Sequence, residues 1–340
     1  MEKFKVLNID NSEWKSTIDK SINYDFYHTL SYNKLEKEGE PLLLVASINE
    51  NFIALPIVIR PIPNTSYFDC TSVYGYSGPV SNLDSHNVPV ELKEYFQESI
   101  NNYFFDTKIV SVFSRLHPIF NNNEYLKDLG EIVDLNKTIA IDLNTTIEEQ
   151  KKQYRKSNKY EINKLKKNGF EVVEAKTQEE IDAFINIYYE TMKRVEAKDS
   201  YFFSKQYFYD FLNNDCFTNK LLLSKKDNQI TAGAIFTITN KIMQYHLAGT
   251  KQEFARDTPM KLILDEARLL ANDINLSYLH LGGGVGGSDQ DPLFRFKTGF
   301  SKNTFQFKVW KYIVNQEVYN QLIKERNVSN DSSFFPLYRA

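Results

Sequence analysis

Two stretches of this 340-residue chain, one in each half, carry the same pattern of apolar residues. In the first half, residues 42–45 and 52–59 form a predicted pair of apolar strands joined by a short turn that contains Asn. In the second half, residues 221–223 and 230–238 repeat this arrangement, again after a helix-like segment. A repeat of this length indicates two duplicated α/β domains rather than a solenoid, whose period is much shorter. The alternative is a chance similarity between short strands rich in Leu and Ile.

The composition is that of a globular protein without a strong net charge. Hydrophobic residues make up 42% of the chain and charged residues 25%, and the net charge is −3. We therefore expect no general attraction to DNA or to an anionic membrane. No stretch has the roughly 20 apolar residues of a membrane span, and residues 1–6 do not resemble a secretion signal. Cys70 and Cys216 form no CxxC motif or His/Cys cluster, which predicts a cytoplasmic protein without a metal site.

Hydrophobic periodicity predicts the remaining elements and a domain boundary. The first domain, residues 1–137, is predicted to contain a helical region over 11–39, strands at 42–48, 52–60 and 108–113, and a helix over 88–106. The second domain, residues 138–340, is predicted to contain strands at 138–143, 170–174, 220–224, 230–239, 241–249, 277–281 and 304–314, and helices over 147–168, 178–195, 204–213, 259–273 and 294–300. Thr258 is the predicted N-cap of the helix over 259–273, with Pro259 in its first position.

Three strings of residues resemble those of the tandem-GNAT acyltransferase family. They are Tyr-Gly-Tyr-Ser-Gly-Pro at 74–79, Leu-His-Leu-Gly-Gly-Gly at 279–284 and Leu-Phe-Arg-Phe-Lys-Thr-Gly-Phe at 293–300. The family includes the Fem-type peptidoglycan bridge transferases and the GNAT-type N-acyltransferases of nucleotide-linked amino sugars. The resemblance implies an α/β (α+β) fold with two GNAT-like domains, each a mixed, mostly antiparallel sheet flanked by helices. It also implies an enzyme that transfers an acyl group from an activated carrier to an amine.

One segment departs from the family pattern. GNAT domains that bind acetyl-CoA usually carry a glycine-containing turn before the central helix, whereas residues 254–260 here contain no glycine. The helix N-terminus could still bind a pyrophosphate through its free amides. Pro259 removes one amide and Asp257 adds a negative charge, so the usual mode of CoA binding is not predicted.

Three residues are predicted to be catalytic. His246 lies on the strand that, in GNAT domains, separates from its neighbour to admit the thioester, and its imidazole could take a proton from the attacking amine. Lys297 matches a lysine that is thought to lie in the acyl channel of Fem-type enzymes. Asp291 could accept a proton or a sugar hydroxyl. The alternatives are a structural histidine and solvated surface charges.

The other predicted site residues bind substrate or cofactor. Tyr74 and Tyr76 could stack on a sugar or base, or form only a packed turn. Arg295 could bind phosphate, and Arg155, next to Tyr154, is the residue of the basic helix expected to contact a ligand if any does. Arg194 and Tyr201 lie in a segment that commonly covers the acceptor in GNAT domains. The residues expected to border the cofactor are Gly283, Gly284 and Thr258. Gly286 and Gly287 of the same loop could allow close approach of a ligand, and Asp289, like Asp291, could accept a proton or a sugar hydroxyl.

Three functions are compatible with these residues. The favoured function is transfer of an acyl group from acyl-CoA, the expected co-substrate, to the amine of a nucleotide-linked amino sugar such as a dTDP-sugar, in polysaccharide synthesis. The alternative is a Fem-type transferase that uses aminoacyl-tRNA and a peptidoglycan precursor. The third is a binding module without chemistry. The acidic net charge and the absence of a long helical hairpin favour the first, and a homodimer is compatible with all three.

Overall fold

The computed structural model describes residues 1–285, 290–328, 332 and 334–340, and the chain forms two compact units. Unit 1 contains Met1–Leu135 and Gln306–Ala340, and unit 2 contains Asn136–Phe305. Within the described ranges, no helix has the length and apolar character that a membrane crossing requires.

The strands and helices follow the chain in this order. The strands are β1 (Glu2–Asn8), β2 (Glu40–Ile48), β3 (Asn51–Pro61), β4 (Phe68–Thr71), β5 (Val80–Ser81), β6 (Ile109–Arg115), β7 (Glu131–Asp142), β8 (Glu171–Glu174), β9 (Thr218–Lys226), β10 (Gln229–Thr239), β11 (Ile242–Thr250), β12 (Tyr278–Gly282) and β13 (Thr304–Ile313). The helices are α1 (Glu13–Asp19), α2 (Leu30–Asn33), α3 (Val90–Asp106), α4 (Ile147–Gln153), α5 (Lys156–Lys167), α6 (Gln178–Arg194), α7 (Lys205–Leu212), α8 (Met260–Asp273), α9 (Pro292–Lys297) and α10 (Gln316–Glu325).

Unit 1 is built on a mixed sheet with the strand order β1-β2-β3-β4-β6-β13. Its pairs are antiparallel except for β4 with β6, and the short strand β5 pairs with β3. Helix α3 packs against the sheet through Phe96, Ile100 and Phe104, all fully buried, because these residues are spaced to share one face of the helix.

In unit 2 the strand order is β7-β12-β11-β10-β9-β8, again with mixed pairing. Strands β11 and β12 are parallel, and the other pairs are antiparallel. Helix α8 buries Ile263 and Ala267 in the core on one face. Helix α6 packs on β10 and β11 on the other face, where Gly233 leaves room for the ring of Phe184. The predicted fold class is confirmed, with a mostly antiparallel sheet and flanking helices in each unit.

Four sequence-based predictions of domain and helix boundaries differ from the structure. Residues 306–340, assigned by sequence to the domain 138–340, belong to unit 1, where β13 pairs with β6 and the fully buried Trp310 joins the core. The region 11–39 contains short helices instead of a continuous one. Thr258 is not the N-cap of α8: it has a left-handed φ of 57°, and Pro259 takes the cap position without a side-chain bond.

The predicted basic helix over 147–168 is interrupted. Helix α4 ends before Tyr154, and α5 begins after Arg155. Both residues at the interruption are extended, with ψ angles of 136° and 142°. The backbone N–H of Arg155 donates to the carbonyl of Gly299 at 2.9 Å, so a tertiary hydrogen bond replaces one that a continuous helix would make. The interruption places Arg155 beside Gly299, next to the candidate site described below.

Candidate active site

Lys297 is a buried cation at the end of helix α9. Its Nζ donates a hydrogen bond to the carbonyl of Gly283 at 2.6 Å and lies 5.8 Å from the centre of the Tyr245 ring. Burial lowers the pKa of this amine from 10.5 to about 7, against the opposing effect of the Asp291 charge. An amine with this pKa exchanges protons near neutral pH, as a general acid or base must.

Local sequence fixes the position of Lys297. Asp291 caps α9 by accepting a hydrogen bond from the N–H of Phe294 at 2.8 Å, and Pro292 occupies the first turn. Any side chain at Gly284 would collide with the Asp291 carboxylate, so this glycine permits the close approach of the loop and the helix. The structure therefore brings together Lys297, Asp291, Gly283 and Gly284. Of the predicted loop residues, Gly286, Gly287 and Asp289 lie outside the described ranges.

An open cleft of about 300 Å³ lies along α9, which also carries Lys297. Its lining residues come from the start of α5, the start of α8 and the region of α9: Arg155, Asn158, Lys261, Gln290, Pro292, Arg295 and Phe296. The structure thus brings the predicted residues Arg155 and Arg295 together, and Nη2 of Arg155 donates to the carbonyl of Arg295 at 3.2 Å. We call this feature the basic cleft.

A buried hydrogen-bond network holds the interruption between α4 and α5. The guanidinium of Arg268, which is 1% exposed, donates to the Tyr154 hydroxyl, to Oε1 of Gln150 and to Oδ1 of Asp265, each at 3.1 Å. Every bond is charge-assisted and lies out of water, where such bonds are strong. Because Arg155 directly follows Tyr154, this network also fixes where Arg155 enters the basic cleft.

Glu161, a residue of α5, contacts the start of α8. Its carboxylate accepts a hydrogen bond from the Thr258 hydroxyl at 3.1 Å and is ion-paired with Lys261. The predicted cofactor residue Thr258 is thus bonded to an acidic side chain of the same unit. Glu161, Lys261 and Asn158 were not predicted as site residues. Helices α5 and α8 are far apart in the chain, and periodicity does not predict which of their faces meet.

His246 has different neighbours from Lys297. It is the extra residue of a β-bulge in β11, opposite the step from Ile235 to Phe236 in β10. Its ring stacks on Phe211 of α7, with centroids 4.9 Å apart, whereas Lys297 lies against Tyr245. Burial lowers the pKa of His246 to about 3. Such a weak base is poorly matched to proton transfer at neutral pH, which argues against His246 as the base.

We expect His246 to stay uncharged between pH 5 and 8. The reason is that burial disfavours the imidazolium and places the pKa well below this range. Long-range ¹H–¹⁵N spectra of histidine-labelled protein would check this, with a His246→Phe variant to assign the resonance and the exposed His86 as an internal reference. A shift of the His246 resonances with a midpoint between pH 6 and 7 would contradict the expectation.

The remaining predicted residues lie elsewhere. Tyr74 and Tyr76 belong to unit 1, where Tyr74 is 48% exposed and the Tyr76 ring packs edge-on against Tyr27. In unit 2, Nη1 of Arg194 at the end of α6 lies 4.0 Å from Oε1 of Glu190. The carbonyl of Tyr201 accepts a hydrogen bond from the Tyr188 hydroxyl at 2.8 Å. Neither Arg194 nor Tyr201 lines the basic cleft.

Comparison with solved structures identifies the fold. Over 93% of this chain and 99% of the other, the structure superposes on that of FemX with a TM-score of 0.72 at 14% identity. L-PGS from Bacillus licheniformis matches with a TM-score of 0.62 at 12% identity, over 93% of this chain and 96% of that one. A tandem GNAT protein from the clavulanic acid biosynthesis pathway matches with a TM-score of 0.52 at 7% identity, over 93% and 99% of the two chains. The chain has the tandem-GNAT fold.

Sequence comparison adds one match to the tandem-GNAT assignment. Residues 123–224 match the model of the FemAB family, a range that includes α4, α5 and the interruption between them. No curated protein matches the chain. The predicted resemblance to Fem-type and tandem-GNAT proteins is confirmed, and these matches support the prediction of a transferase.

Proposed function

We propose that this tandem-GNAT protein is a Fem-type transferase that moves an aminoacyl group from aminoacyl-tRNA to an amine of a peptidoglycan precursor. The match of residues 123–224 to the FemAB family supports this function over transfer from acyl-CoA to a nucleotide-linked amino sugar, which the sequence had favoured. The fold shared with FemX supports it as well.

The observation that carries the proposal is that the N-terminus of α8 has few free amides and that its lysine, Lys261, is already ion-paired. A CoA pyrophosphate would require free amides and a positive potential there. Pro259 has no N–H, and the amides of Lys261 and Leu262 each donate at 3.0 Å to the carbonyls of Thr258 and Pro259. The Glu161 carboxylate lies at the same point and is ion-paired with Lys261, so the charge of that lysine is already neutralised. These features disfavour a CoA pyrophosphate and favour a donor held elsewhere.

In the proposed reaction, the acceptor amine attacks the carbonyl carbon of the aminoacyl ester. A C–N bond forms, and the C–O bond to the tRNA ribose breaks. Lys297, in its neutral form, accepts the proton that the attacking nitrogen loses and returns it to the leaving ribose oxygen. The pKa of about 7 makes both transfers favourable at neutral pH, and the hydrogen bond to Gly283 orients Nζ.

Acyl-CoA remains the second candidate donor, with a nucleotide-linked amino sugar as acceptor. The observation that favours it is the fold shared with the tandem GNAT protein of the clavulanic acid pathway, the neighbour solved without AcCoA. In that case we expect the pyrophosphate to bind away from the α8 N-terminus.

A direct test compares the two donors with purified protein. One reaction contains total tRNA charged with all amino acids and UDP-N-acetylmuramyl pentapeptide, and the other contains acetyl-CoA and a mixture of nucleotide-linked amino sugars. We expect mass spectrometry to detect the acceptor plus one amino-acid residue in the first reaction, and loss of this product when the tRNA is treated with ribonuclease. Acylated sugar nucleotide without any aminoacylated precursor would contradict the proposal.

A further inference from the structure

We propose that the basic cleft is a binding site for a nucleotide phosphate, with the phosphate held between Arg155 and Arg295. The inference rests on the proposed function, because it specifies how the substrate of that reaction is held. Four features of the cleft support it: unpaired charge, fixed geometry, an unused buried donor and an apolar wall.

The charge of the cleft is not neutralised within the described part of the chain. Neither Arg155 nor Arg295 forms an ion pair there, whereas Lys261 is paired with Glu161. Two guanidinium groups without carboxylate partners therefore face one cleft. Planar guanidinium groups bind phosphate through two parallel hydrogen bonds, which an ammonium group does not provide.

Arg155 is held in place before any ligand arrives. Its backbone N–H donates to Gly299, and its Nη2 contacts the Arg295 carbonyl at 3.2 Å and the Thr298 hydroxyl at 3.4 Å. The preceding residue, Tyr154, is fixed by Arg268. A side chain restrained in this way loses less conformational entropy on binding than a free surface arginine does.

Asn158 supplies the third feature, a buried donor in the lining of the cleft. The residue is 2% exposed, and its Nδ2 has no hydrogen-bond acceptor among the residues that the structure describes. An unsatisfied buried donor is costly, so such groups normally have a partner in the functional state. Gly299 keeps the space beside this amide open, because a Cβ there would lie 2.5 Å from Nδ2.

The remaining lining residues favour a nucleotide over a free phosphate ion. Pro292 is exposed, and the half-buried Phe296 packs at the edge of the core, so together they form an apolar wall beside the arginines. Such a surface can stack a base or ribose. About 300 Å³ is the lower limit of ordinary ligand sites and is suited to one nucleotide. This chemistry is shared by the 3′ end of an RNA donor and by the nucleotide of a UDP-linked acceptor.

The test measures binding without turnover. A fluorescein-labelled RNA oligonucleotide ending in CCA and UDP-N-acetylglucosamine are titrated separately against the full-length protein, at two salt concentrations. The cleft variant is Arg155→Gln/Arg295→Gln. Its matched control is Lys151→Gln/Lys167→Gln, which removes two exposed charges from α4 and α5 outside the cleft. A further variant, Asn158→Asp, places a carboxylate in the lining with little change of volume.

We expect the cleft variant to weaken binding of at least one probe about 10-fold or more, and Asn158→Asp to weaken the same probe, while the control changes affinity less than about 2-fold. Competition shows the source: displacement of the RNA by UDP-N-acetylglucosamine assigns the site to the acceptor, and binding of RNA alone assigns it to the donor. Equal affinities in the cleft variant and its control would overturn the proposal, as would failure of both probes to bind the wild-type protein.

The transfer assay separates this inference from the proposed function. If the wild type transfers aminoacyl groups and the cleft variant binds the probes as the wild type does, the nucleotide site is contradicted and the proposed reaction is supported. If probe binding depends on the cleft but no transfer from aminoacyl-tRNA occurs, the nucleotide site is supported and the proposed reaction is contradicted.

Discussion

Replacement of Lys297 by alanine is expected to lower the rate of acyl transfer by about 10²-fold or more, the usual contribution of a positioned proton-transfer group. The wild-type rate should rise with pH through about 7, because the proposed base is active only after its ammonium loses a proton. Lys297→Arg should be as slow as Lys297→Ala and lack this pH limb, since a guanidinium stays protonated. Lys302→Ala, which removes an exposed lysine nearby in the chain, is the matched control.

Stability provides a second readout of the same residue. The pKa falls from 10.5 to about 7 on burial, so between these values the unfolded chain binds more protons than the folded one. Burial of the charged amine therefore lowers the free energy of unfolding. This destabilisation is complete below pH 7 and disappears as the pH rises toward 10.5. We expect Lys297→Met to raise the melting temperature at pH 6 and the gain to shrink by pH 10. An equal gain at both pH values would show that the amine is not buried in its charged form.

Replacement of Arg268 by methionine is expected to cost about 3 kcal/mol or more in the stability of unit 2, the usual result of leaving one partner of a buried ion pair alone. Asp265, whose side chain is 2% exposed, would lose the buried cation that now neutralises it, and the half-exposed Lys166 at 3.8 Å would replace that cation poorly. The Tyr154 hydroxyl would lose its donor as well. We also expect the interruption between α4 and α5 to loosen, and with it the position of Arg155.

Hydrogen exchange is the suitable measurement, because both tryptophans of the chain, Trp14 and Trp310, belong to unit 1. Faster exchange in peptides covering 147–167, with unchanged tryptophan fluorescence, is the expected outcome. The double variant Asp265→Leu/Arg268→Met removes both charges and should recover most of the protection. Unaltered exchange in Arg268→Met would mean that the network does not hold the interruption.

Local patterns predicted most strands and helices of this fold. The pairs β2–β3 and β9–β10 were evident from apolar runs around short Asn turns, and α8 from its one-sided stripe of apolar residues. The interruption at Tyr154 and Arg155 was missed, because the lysine-rich segment favours a helix and the interruption depends on tertiary contacts such as those with Arg268 and Gly299. The return of β13 to unit 1 was missed because an apolar strand does not specify its partner.

The site was predictable only in part, for a related reason. Lys297, Asp291 and the glycines belong to neighbouring sequence strings that resemble a family. Because these residues are close in the sequence, their proximity in space was expected. Asn158, Glu161 and Lys261 belong to two helices whose facing sides depend on tertiary packing. The lowered pKa of His246 likewise results from burial, and the ring that stacks on it, Phe211, lies two strands earlier in the chain.

The discontinuous composition of unit 1 has a consequence for synthesis on the ribosome. Chains emerge from the N-terminus onward, and domains generally fold as units during this process. All but the last two residues of unit 2 emerge before β13, Trp310 and α10 are available to the first unit. We therefore expect the order of folding to be the reverse of the order of translation. Unit 2, which is encoded later, can complete its core first, while residues 1–135 still lack their last strand. Nascent residues 1–135 are then the part of the chain most exposed to chaperones and proteases.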